Sequence, residues 1–343
     1  MLNTDKFITQ LQQLQPALEK ARRVLITAPG NADGDSVGSQ LALRRMIRHR
    51  FPQAEVVILN DEVLPSRYRF LPDVQVVQTP DSCPQTGNPA FDVAFIVDGG
   101  IDRAGRVRAL FEKAATQVFI DHHVVSAEYP YSIRIVDPRA SSNTELLYYL
   151  SQSPFFETPL DRDFCLQIYL GLVFDTGFFR HSNTTPESME LAAKLLRAGF
   201  DFTRVGERGM LERSFSSLQL LSETLSRARL ACQTKVIWSE IELKNMNYPG
   251  AEPDDREGII DHLFLTVGID VAVLFFELGP ALTKVSLRSH GKVDVAHFAR
   301  SLTRCGGGHT KAAGGLFEMP VEKVRKLVLS ELEKQFTPLG HVK

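Results

Sequence analysis

Residues 24–39 read VLITAPGNADGDSVGS, a short apolar run followed by a turn rich in glycine and aspartate. The run Val24–Thr27 has the aliphatic and β-branched composition of a buried strand. The turn carries Asp33 and Asp35, and a segment with helical character follows from Ser36 to His49. A strand, an acidic turn and a helix in this order predict the first unit of an α/β sheet. Both carboxylates then lie at the carboxyl end of the strand and beside the positive end of the helix.

The alternation continues over the first two hundred residues. A helix is predicted within Thr4–Ala21, and later apolar runs predict further strands at Val56–Leu59, Val93–Val97, Val118–Ile120 and Ile133–Val136. Helical or mixed segments are predicted at Arg103–Ala115, Asn143–Leu150, Arg162–Phe174 and Glu187–Arg197. Strands that alternate with helices indicate a mostly parallel, doubly wound sheet, so the predicted fold class is α/β.

A second, smaller α/β domain is predicted beyond a connecting segment. Residues 201–230 contain few strand signals, and Ser216–Arg229 is predicted as a connecting helix. The later predicted elements are the strands Lys235–Ile241, Val271–Leu278, Thr283–Arg288 and Gly315–Glu318 and the helices Asp255–Leu263, Val295–Leu302 and Val321–Lys334. We therefore expect a first domain at 1–200, a connection at 201–230 and a second domain at 231–343.

The composition is that of an ordinary globular protein. Of 343 residues, 39 are Lys or Arg and 41 are Asp or Glu, so the formal net charge is −2. This balance argues against a broad basic surface for long nucleic acids. No apolar run approaches the length of a membrane span, and the polar N-terminal segment does not resemble a secretory signal. Four widely spaced cysteines exclude a cysteine-based zinc site and suit a reducing compartment, so we expect a cytoplasmic protein.

Acidic and histidine residues follow three predicted strands directly. The groups are Asp33 and Asp35 after the first strand, Asp98 after 93–97, Asp121, His122 and His123 after 118–120, and also Asp175 after the apolar run 166–174. Taken singly, each has a structural explanation as a turn residue, a helix cap or a packed histidine. Because ligands bind at the carboxyl ends of parallel strands, their joint occurrence favours one site. Clustered carboxylates repel one another, which predicts one or two divalent ions with oxygen and imidazole ligands.

The same segments resemble the successive motifs of the DHH phosphoesterases. They are NADGDSVGS (31–39), VDGG (97–100), IDHH (120–123) and GLVFDTGFFRHSNTT (171–185). Three later segments resemble the DHHA1 substrate-binding domain: SLRS (286–289), VDVAHFA (293–299) and GGGHTKAAGG (306–315). The resemblance covers nearly the whole chain, in the family's order. It implies a catalytic DHH domain over 1–200 and a DHHA1 domain over 231–343.

This resemblance implies a metal-dependent phosphohydrolase. The stand-alone members, the nanoRNase and pAp phosphatase subgroup, degrade short RNA oligonucleotides and remove the 3′-phosphate of adenosine 3′,5′-bisphosphate. Some relatives instead open cyclic di-AMP or cleave pApA, and the motifs do not separate these alternatives. The expected cofactor is Mn²⁺, with Mg²⁺ as the alternative, in one or two copies, and two ions would generate a hydroxide for in-line attack. The expected partners are short RNA and nucleotides, without long DNA or membrane, and a homodimer is left open.

The resemblance also implies roles for individual residues. The implied metal ligands are Asp33, Asp35, Asp98, His122 and Asp175, with Asp98 shared between two ions. The implied catalytic residues are Asp98, Asp121, His122 and His123. The expected substrate-binding residues are Arg103, Arg288, Gly306, Gly307, Gly308 and His309, since glycines admit phosphate close to the backbone and arginine can hold it bidentately. Two structural alternatives stay open, because CGGGH also suits a tight turn and Arg103 also suits an ion pair with Asp102.

One position departs from the family pattern. The family motif begins HxNPDGD and its histidine binds the first metal, whereas this chain has Pro29 at that position and Ala32 in place of the proline. Asp33 and Asp98 alone are then left to hold the first ion. A degenerate member that binds a nucleotide or a partner without hydrolysis is therefore a second hypothesis. The presence of all seven acidic and histidine groups favours an enzyme, because grouping them without a cation is costly.

Overall fold

The computed structural model describes residues 4–83, 90–123, 129–246, 253–256 and 258–336. The chain divides into two compact units, Met1–Glu212 and Arg213–Lys343. This division falls inside the segment 201–230 that the sequence analysis treats as a connection. Each unit has its own sheet, and each sheet contains six strands within the described residues.

The first unit contains an entirely parallel sheet. Its strands are β1 (Arg23–Thr27), β2 (Glu55–Leu59), β3 (Val77–Gln78), β4 (Val93–Val97), β5 (Thr116–Asp121) and β6 (Ile133–Val136). Their order is β3-β2-β1-β4-β5-β6, and every neighbouring pair is parallel. The strand order reverses between β1 and β4, so the chains that leave these two strands diverge and open a crevice at their carboxyl ends. The predicted parallel α/β fold is confirmed, with the two-residue β3 as an addition.

Helices cover both faces of this sheet. They are α1 (Ile8–Lys20), α2 (Gly34–Arg50), α3 (Arg108–Phe111), α4 (Asn143–Ser151), α5 (Arg162–Asp175), α6 (Pro186–Leu196) and α7 (Phe202–Gly206). Val24 and Ile26 pack into one apolar core, and Leu25 between them packs into the other. Successive strand side chains point to opposite faces, which explains why these strands are apolar throughout.

The segment Arg103–Ala115 is less helical than its composition indicates. It forms two 3-10 turns and the single-turn α3. Gly105 interrupts it with a φ of +52°, and a methyl group there would lie 1.9 Å from Asp61 Oδ2. Only glycine fits that position, so a continuous helix cannot pass through it.

The second unit contains a mixed sheet. Its strands are β7 (Arg229–Ala231), β8 (Val236–Ile241), β9 (Val271–Gly279), β10 (Leu282–Ser289), β11 (Gly307–His309) and β12 (Ala312–Phe317). Its helices are α8 (Phe215–Ser226), α9 (Ile259–Phe264), α10 (Val295–Leu302) and α11 (Val321–Phe336). The order is β11-β12-β10-β9-β8-β7, and β8 and β9 form its parallel pair.

Two strands are new relative to the sequence prediction. The strand β7 begins at Arg229, where the predicted connecting helix is expected to end, whereas α8 already ends at Ser226. The strand β11 contains two glycines, which have little strand preference of their own.

No helix in the described part of the chain has both the length and the apolar character needed to cross a membrane.

Candidate metal centre

Asp98 leaves β4 in a conformation that few residues adopt. Its φ is +61° and that of Gly99 is +129°. Aspartate tolerates the left-handed region better than most residues, and such conformations cluster at functional sites. The Asp98 amide donates to the carbonyl of Ile120 at 3.1 Å, which ties the ends of β4 and β5 together. The sharp turn therefore keeps the Asp98 carboxylate at the carboxyl edge of the sheet, where it is 8% exposed.

His122 presents one ring nitrogen to three carboxylates. Its Nε2 lies 2.9 Å from Asp175 Oδ2, 3.6 Å from Asp98 Oδ1 and 3.7 Å from Asp35 Oδ2. This nitrogen is buried and has no hydrogen bond of good geometry to any described residue. The other nitrogen, Nδ1, lies 3.3 Å from the carbonyl oxygen of Ala140. A proton on Nδ1 would bond that carbonyl and leave the Nε2 lone pair for a cation, which is the usual arrangement of a metal-binding histidine.

Two groups of side chains in the described residues have donor atoms within 4.8 Å of one another. One group is Asp35, His122 and Asp175, and the other is Asp98, Asp121, His122 and His123. The carboxylate and imidazole donors suit a divalent ion such as Mn²⁺, Mg²⁺ or Zn²⁺. The carboxyl edge of the parallel sheet thus carries a largely buried cluster of side chains that could bind a metal. We call it the metal cluster; it consists of Asp35, Asp98, Asp121, His122, His123 and Asp175.

The first turn of α4 holds Asp35. The amides of Asn143 and Thr144 donate to its two carboxylate oxygens at 2.6 and 2.9 Å, and Asp35 is fully buried. A helix N-terminus attracts an anionic group, so this contact fixes the position of the Asp35 carboxylate. Ser36 donates its hydroxyl to Asp98 Oδ2 at 2.6 Å. The sequence analysis did not identify the three supporting residues Ser36, Asn143 and Thr144. The SSNTE pattern at 141–145 predicts a helix start, but nothing local reveals which carboxylate it meets.

Asp33 lies outside both groups. Its Oδ1 accepts from the amides of Asp35 and Ser36, both at 3.0 Å, and so caps α2. Its negative charge nevertheless contributes to raising the pKa of Asp98. A ligand role for Asp33 stays a prediction, and its cap gives it a structural role as well.

Without a cation the cluster holds protons. Burial raises the pKa of Asp98 well above its ordinary value, and the charge of Asp35 adds to this. Burial and Asp35 also raise the pKa of Asp175, to about 7, against the opposing effect of His122. Burial lowers the pKa of His122, but Asp175 and Asp98 outweigh it and raise that pKa well above its ordinary value. A divalent ion would replace these protons and remove the repulsion among the carboxylates.

Metal affinity is therefore expected to rise with pH. Below a pKa of about 7 Asp175 carries a proton that competes with the ion, and above it the competition fades. Calorimetric titration of chelator-stripped protein with Mn²⁺ at about pH 6 and about pH 8 should show tighter binding at the higher pH. Repeating each titration in buffers of different ionisation enthalpy should reveal proton release. Equal affinity at both pH values without proton release would contradict the ligand assignment.

Asp121 orients His123 beside the cluster. Its Oδ1 lies 2.7 Å from His123 Nδ1 and accepts from the His122 and His123 amides at 2.8 and 3.2 Å. Burial raises the pKa of Asp121, but its contacts with His123 outweigh burial and lower it overall. Burial conversely lowers the pKa of His123, and Asp121 more than reverses this. The side chain of His123 is 34% exposed, so Asp121 holds a protonatable imidazole within reach of a ligand.

Pro29 and Arg103 lie beside the turn at Asp98. A methyl group on Gly99 would lie 2.7 Å from Pro29 Cγ, so the proline ring packs directly over this glycine. The carbonyl of Arg103 accepts from the Gly30 amide at 2.7 Å. The Arg103 side chain is exposed, and its Nη1 would lie 3.8 Å from that methyl group. Pro29 thus stabilises the loop without a ligand atom, and Arg103 places a guanidinium next to Asp98.

A left-handed turn follows Asp175 at the end of α5. Gly177, Phe178 and Phe179 have φ values of +55°, +56° and +60°. Both phenylalanines pack against the first unit's core. The His181 Nδ1 lies 3.0 Å from the carbonyl oxygen of Asp175. Packing of the two rings offsets the cost of their unusual backbone and stops α5 at Asp175.

The second unit contains the remaining predicted residues. Arg288 lies on β10, where its Nε donates to Asp261 Oδ1 at 3.2 Å and its side chain is 32% exposed. Gly306, Gly307 and Gly308 lead into and form part of β11, and the side chain of His309 lies outside the described part of the structure. Residues 307–309 thus form a strand that pairs with β12, and the chain reverses direction at residues 310–311.

The three glycines differ in what an added methyl group would meet. At Gly306 it would lie 2.2 Å from the Ala299 carbonyl oxygen, and at Gly308, with a φ of +130°, 2.5 Å from that of Ala312. At Gly307 it would meet nothing within 4 Å. We expect alanine at Gly306 or Gly308 to lower the free energy of unfolding by about 2 kcal/mol or more.

The control is Gly307→Ala, which should change stability by less than about 1 kcal/mol. Denaturant unfolding of the three variants measures the difference. If all three were equally stable, the described path of β11 would be wrong. A raised KM in Gly307→Ala alone would indicate that substrate approaches this backbone.

Comparison with known proteins finds a family match in each of the two regions that contain the sequence motifs. Residues 23–172 match the DHH family, N-terminal domain, and residues 233–337 match the DHHA1 domain. The chain is 25% identical over 331 residues to a Thermus thermophilus protein named bifunctional oligoribonuclease and PAP phosphatase NrnA, covering 93% of this chain and 92% of that protein.

Solved structures share the fold. The crystal structure of an exopolyphosphatase-related protein from Bacteroides fragilis aligns with a TM-score of 0.84 at 22% identity, covering 96% of this chain and 97% of that one. The crystal structure of exonuclease RecJ bound to manganese aligns with a TM-score of 0.51 at 17% identity, covering 96% and 94%. The chain therefore carries an N-terminal domain of the DHH family at residues 23–172 and a DHHA1 domain at residues 233–337.

Proposed function

We propose that the chain hydrolyses short RNA oligonucleotides and removes the 3′-phosphate of adenosine 3′,5′-bisphosphate. The observation that carries this proposal is the buried His122 Nε2, which faces three carboxylates and has no hydrogen bond of good geometry to any described residue. Such a donor set suits a hard divalent cation. The name of the Thermus thermophilus relative supports the two substrates.

Four proposed ligands have donor atoms close to one another, and Asp33 is proposed as a further ligand that would hold the first of two ions together with Asp98. The four are Asp35, Asp98, His122 and Asp175. The ion proposed is Mn²⁺, with Mg²⁺ as the alternative. When bound, such ions lower the pKa of a water molecule and neutralise charge on a phosphoryl group. The chain itself supplies fixed carboxylates, because the first turn of α4 and Ser36 hold Asp35 and Asp98 in place.

His123 and Arg103 are proposed to contact the substrate phosphate. The Asp121 carboxylate fixes the His123 ring through Nδ1 and raises its pKa, which favours the protonated ring whose outer nitrogen can donate to a phosphoryl or leaving-group oxygen. The exposed Arg103 guanidinium beside Gly99 can bind a phosphate oxygen. In the second unit, Arg288, His309 and the backbone of Gly306–Gly308 are proposed to bind the rest of the substrate.

Arg288→Ala is expected to raise KM about tenfold with little change in kcat. The half-exposed guanidinium has a single side-chain partner, Asp261, among the described residues, so it can exchange that contact for substrate phosphate. Steady-state kinetics on adenosine 3′,5′-bisphosphate measures both constants. Arg229→Ala is the matched control, because this exposed arginine lies on β7 at one edge of the same sheet, and β9 and β8 separate it from β10. A fall in kcat alone would contradict a role in substrate binding.

Two alternatives are tested together with the proposal. One is a cyclic di-AMP or pApA phosphodiesterase, and the other is a non-hydrolytic binder, which the loss of a ligand at Pro29 favours. Chelator-stripped protein should be given adenosine 3′,5′-bisphosphate, pApA, cyclic di-AMP and a short RNA, with Mn²⁺ or Mg²⁺ restored. Metal-dependent hydrolysis of the first and last substrates supports the proposal. Preference for the cyclic or linear dinucleotide supports the phosphodiesterase, and binding without hydrolysis supports the binder.

A further inference from the structure

A polar cavity lies beside the C-terminal half of α2, whereas the metal cluster includes Asp35 from the first turn of this helix. Its volume is about 290 Å³, and it is open to solvent. Residues that line it include Arg44, Arg45, Arg48, Asp73, Thr158 and Asp161. Asp35 is at the start of α2 and Arg44 is nine residues further on, which corresponds to ~13 Å along a helix. None of the metal-cluster residues lines this cavity.

Arg45 forms ion pairs with carboxylates around this cavity. Its guanidinium contacts Asp73, Asp163 and Asp161 at 2.8, 2.9 and 3.0 Å. One arginine therefore engages three acids, and these contacts hold the N-terminal end of α5 against α2. The three acids share Arg45 as their ion-pair partner, and none of them forms an ion pair with Arg44 or Arg48 among the described residues.

Arg44 and Arg48 have no hydrogen bond or ion pair to any described residue. The Nε of Arg44 is fully buried and unpaired. Burial lowers the pKa of Arg44, and the neighbouring charge of Arg48 lowers it further, although Asp73 opposes both. Two guanidiniums that are close enough to repel each other and lack partners are typical of a place where an anion binds.

Thr158 provides an independent observation. It is 6% exposed, and its hydroxyl oxygen is buried without a hydrogen-bond partner in the described residues, although the residue lines the cavity. Leaving a buried hydroxyl unpaired costs about 1–3 kcal/mol, so native structures rarely do so unless a ligand or water satisfies it. Thr158, Arg44 and Arg48 line the same cavity.

We propose that this cavity binds a phosphate or phosphomonoester anion through Arg44, Arg48 and Thr158. The guanidinium forks of Arg44 and Arg48 match the oxygens of a phosphate group in geometry, and Asp73 and Asp161 in the same lining are already paired with Arg45. The volume exceeds what a bare phosphate needs, so it accommodates a small phosphorylated molecule. This site is separate from the metal cluster and does not depend on the proposed function.

The test is calorimetric titration of the full chain with inorganic phosphate after the metal has been stripped and the chelator removed. Wild-type protein should bind phosphate more tightly than acetate. Arg48→Gln should weaken phosphate binding about tenfold, which corresponds to the loss of a charge-assisted hydrogen bond. Thr158→Val keeps the shape of the side chain and should weaken binding severalfold through loss of the hydroxyl. Circular dichroism of each variant confirms that it is folded.

Two controls locate the site. Arg50→Gln removes the same charge at the same end of α2 but does not line the cavity, so phosphate affinity should be unchanged. Arg229→Gln removes an exposed arginine of the second unit that belongs neither to this cavity nor to the proposed substrate site, and it too should leave the affinity unchanged. Absence of phosphate binding by wild-type protein would overturn the proposal. So would unchanged binding by both Arg48→Gln and Thr158→Val, or loss of binding in both Arg50→Gln and Arg229→Gln.

Discussion

Replacing Asp98 with asparagine is expected to lower kcat/KM by about a thousandfold or more. The substitution keeps the size of the side chain and removes its charge. Asp98 Oδ1 lies 3.6 Å from His122 Nε2, and Oδ2 accepts from Ser36 at 2.6 Å, so the carboxylate is central to the cluster. The amide can keep a contact with Ser36, but it is a poor ligand for a divalent ion. Turnover of adenosine 3′,5′-bisphosphate and metal content of the purified protein would both be measured.

The matched control is Asp102→Asn. Asp102 is four residues further along the same loop and is exposed, so its loss changes the net charge equally without touching the cluster. Its activity should stay within about twofold of wild type. If Asp98→Asn retained both metal and activity, Asp98 would not be a metal ligand. If it lost metal but kept activity, the reaction would not depend on this cluster.

Replacing Gly171 with alanine is expected to lower the free energy of unfolding by about 2–3 kcal/mol and to weaken Mn²⁺ binding. Gly171 lies on α5 where it faces Asp35 and Thr144. An added methyl group would lie 2.3 Å from Asp35 Oδ1 and 2.4 Å from Thr144 Oγ1. The first turn of α4 fixes Asp35 on its other side, so the carboxylate cannot move away without losing two hydrogen bonds. The free energy of unfolding should decrease even though alanine has a higher helix propensity than glycine.

Gly209→Ala is the control for that substitution. Gly209 is also helical and buried in the first unit, but its added methyl group would meet only the side chain of Leu170, at 3.1 Å, and Phe70 beyond it. Leu170 can shift by a few tenths of an ångström, so the stability change should be below about 1 kcal/mol. Chemical unfolding with and without Mn²⁺ separates the two effects. Wild-type metal affinity in Gly171→Ala would show that Asp35 is not held as described.

The sequence is sufficient to predict that the aspartate and histidine side chains of the metal cluster lie close together. Asp98 and Asp121 come at the end of strands that are apolar throughout, and parallel strands bring such ends to one edge. The order of these strands could not be predicted, since pairing partners leave no local signal. The reversal between β1 and β4 is what opens the crevice beside Asp98.

The supporting contacts could not be predicted, because they join distant segments. Nothing in Asn143 or Gly171 taken alone points to Asp35, since each contact depends on how α4 and α5 pack against α2. Pro29 illustrates the same limit. The sequence shows that a ligand is missing at this position, but only the structure shows the ring packed over Gly99.

The cluster is assembled from segments spread between residue 35 and residue 175, and this has a consequence for folding kinetics. Its ligands meet only after β1, β4, β5 and α5 have docked, so contacts of high sequence separation must form first. A metal ion therefore has no complete site in the unfolded chain or in an early folding nucleus. It would leave the folding rate almost unchanged and act by slowing unfolding, so that a loaded first unit is protected kinetically as well as thermodynamically.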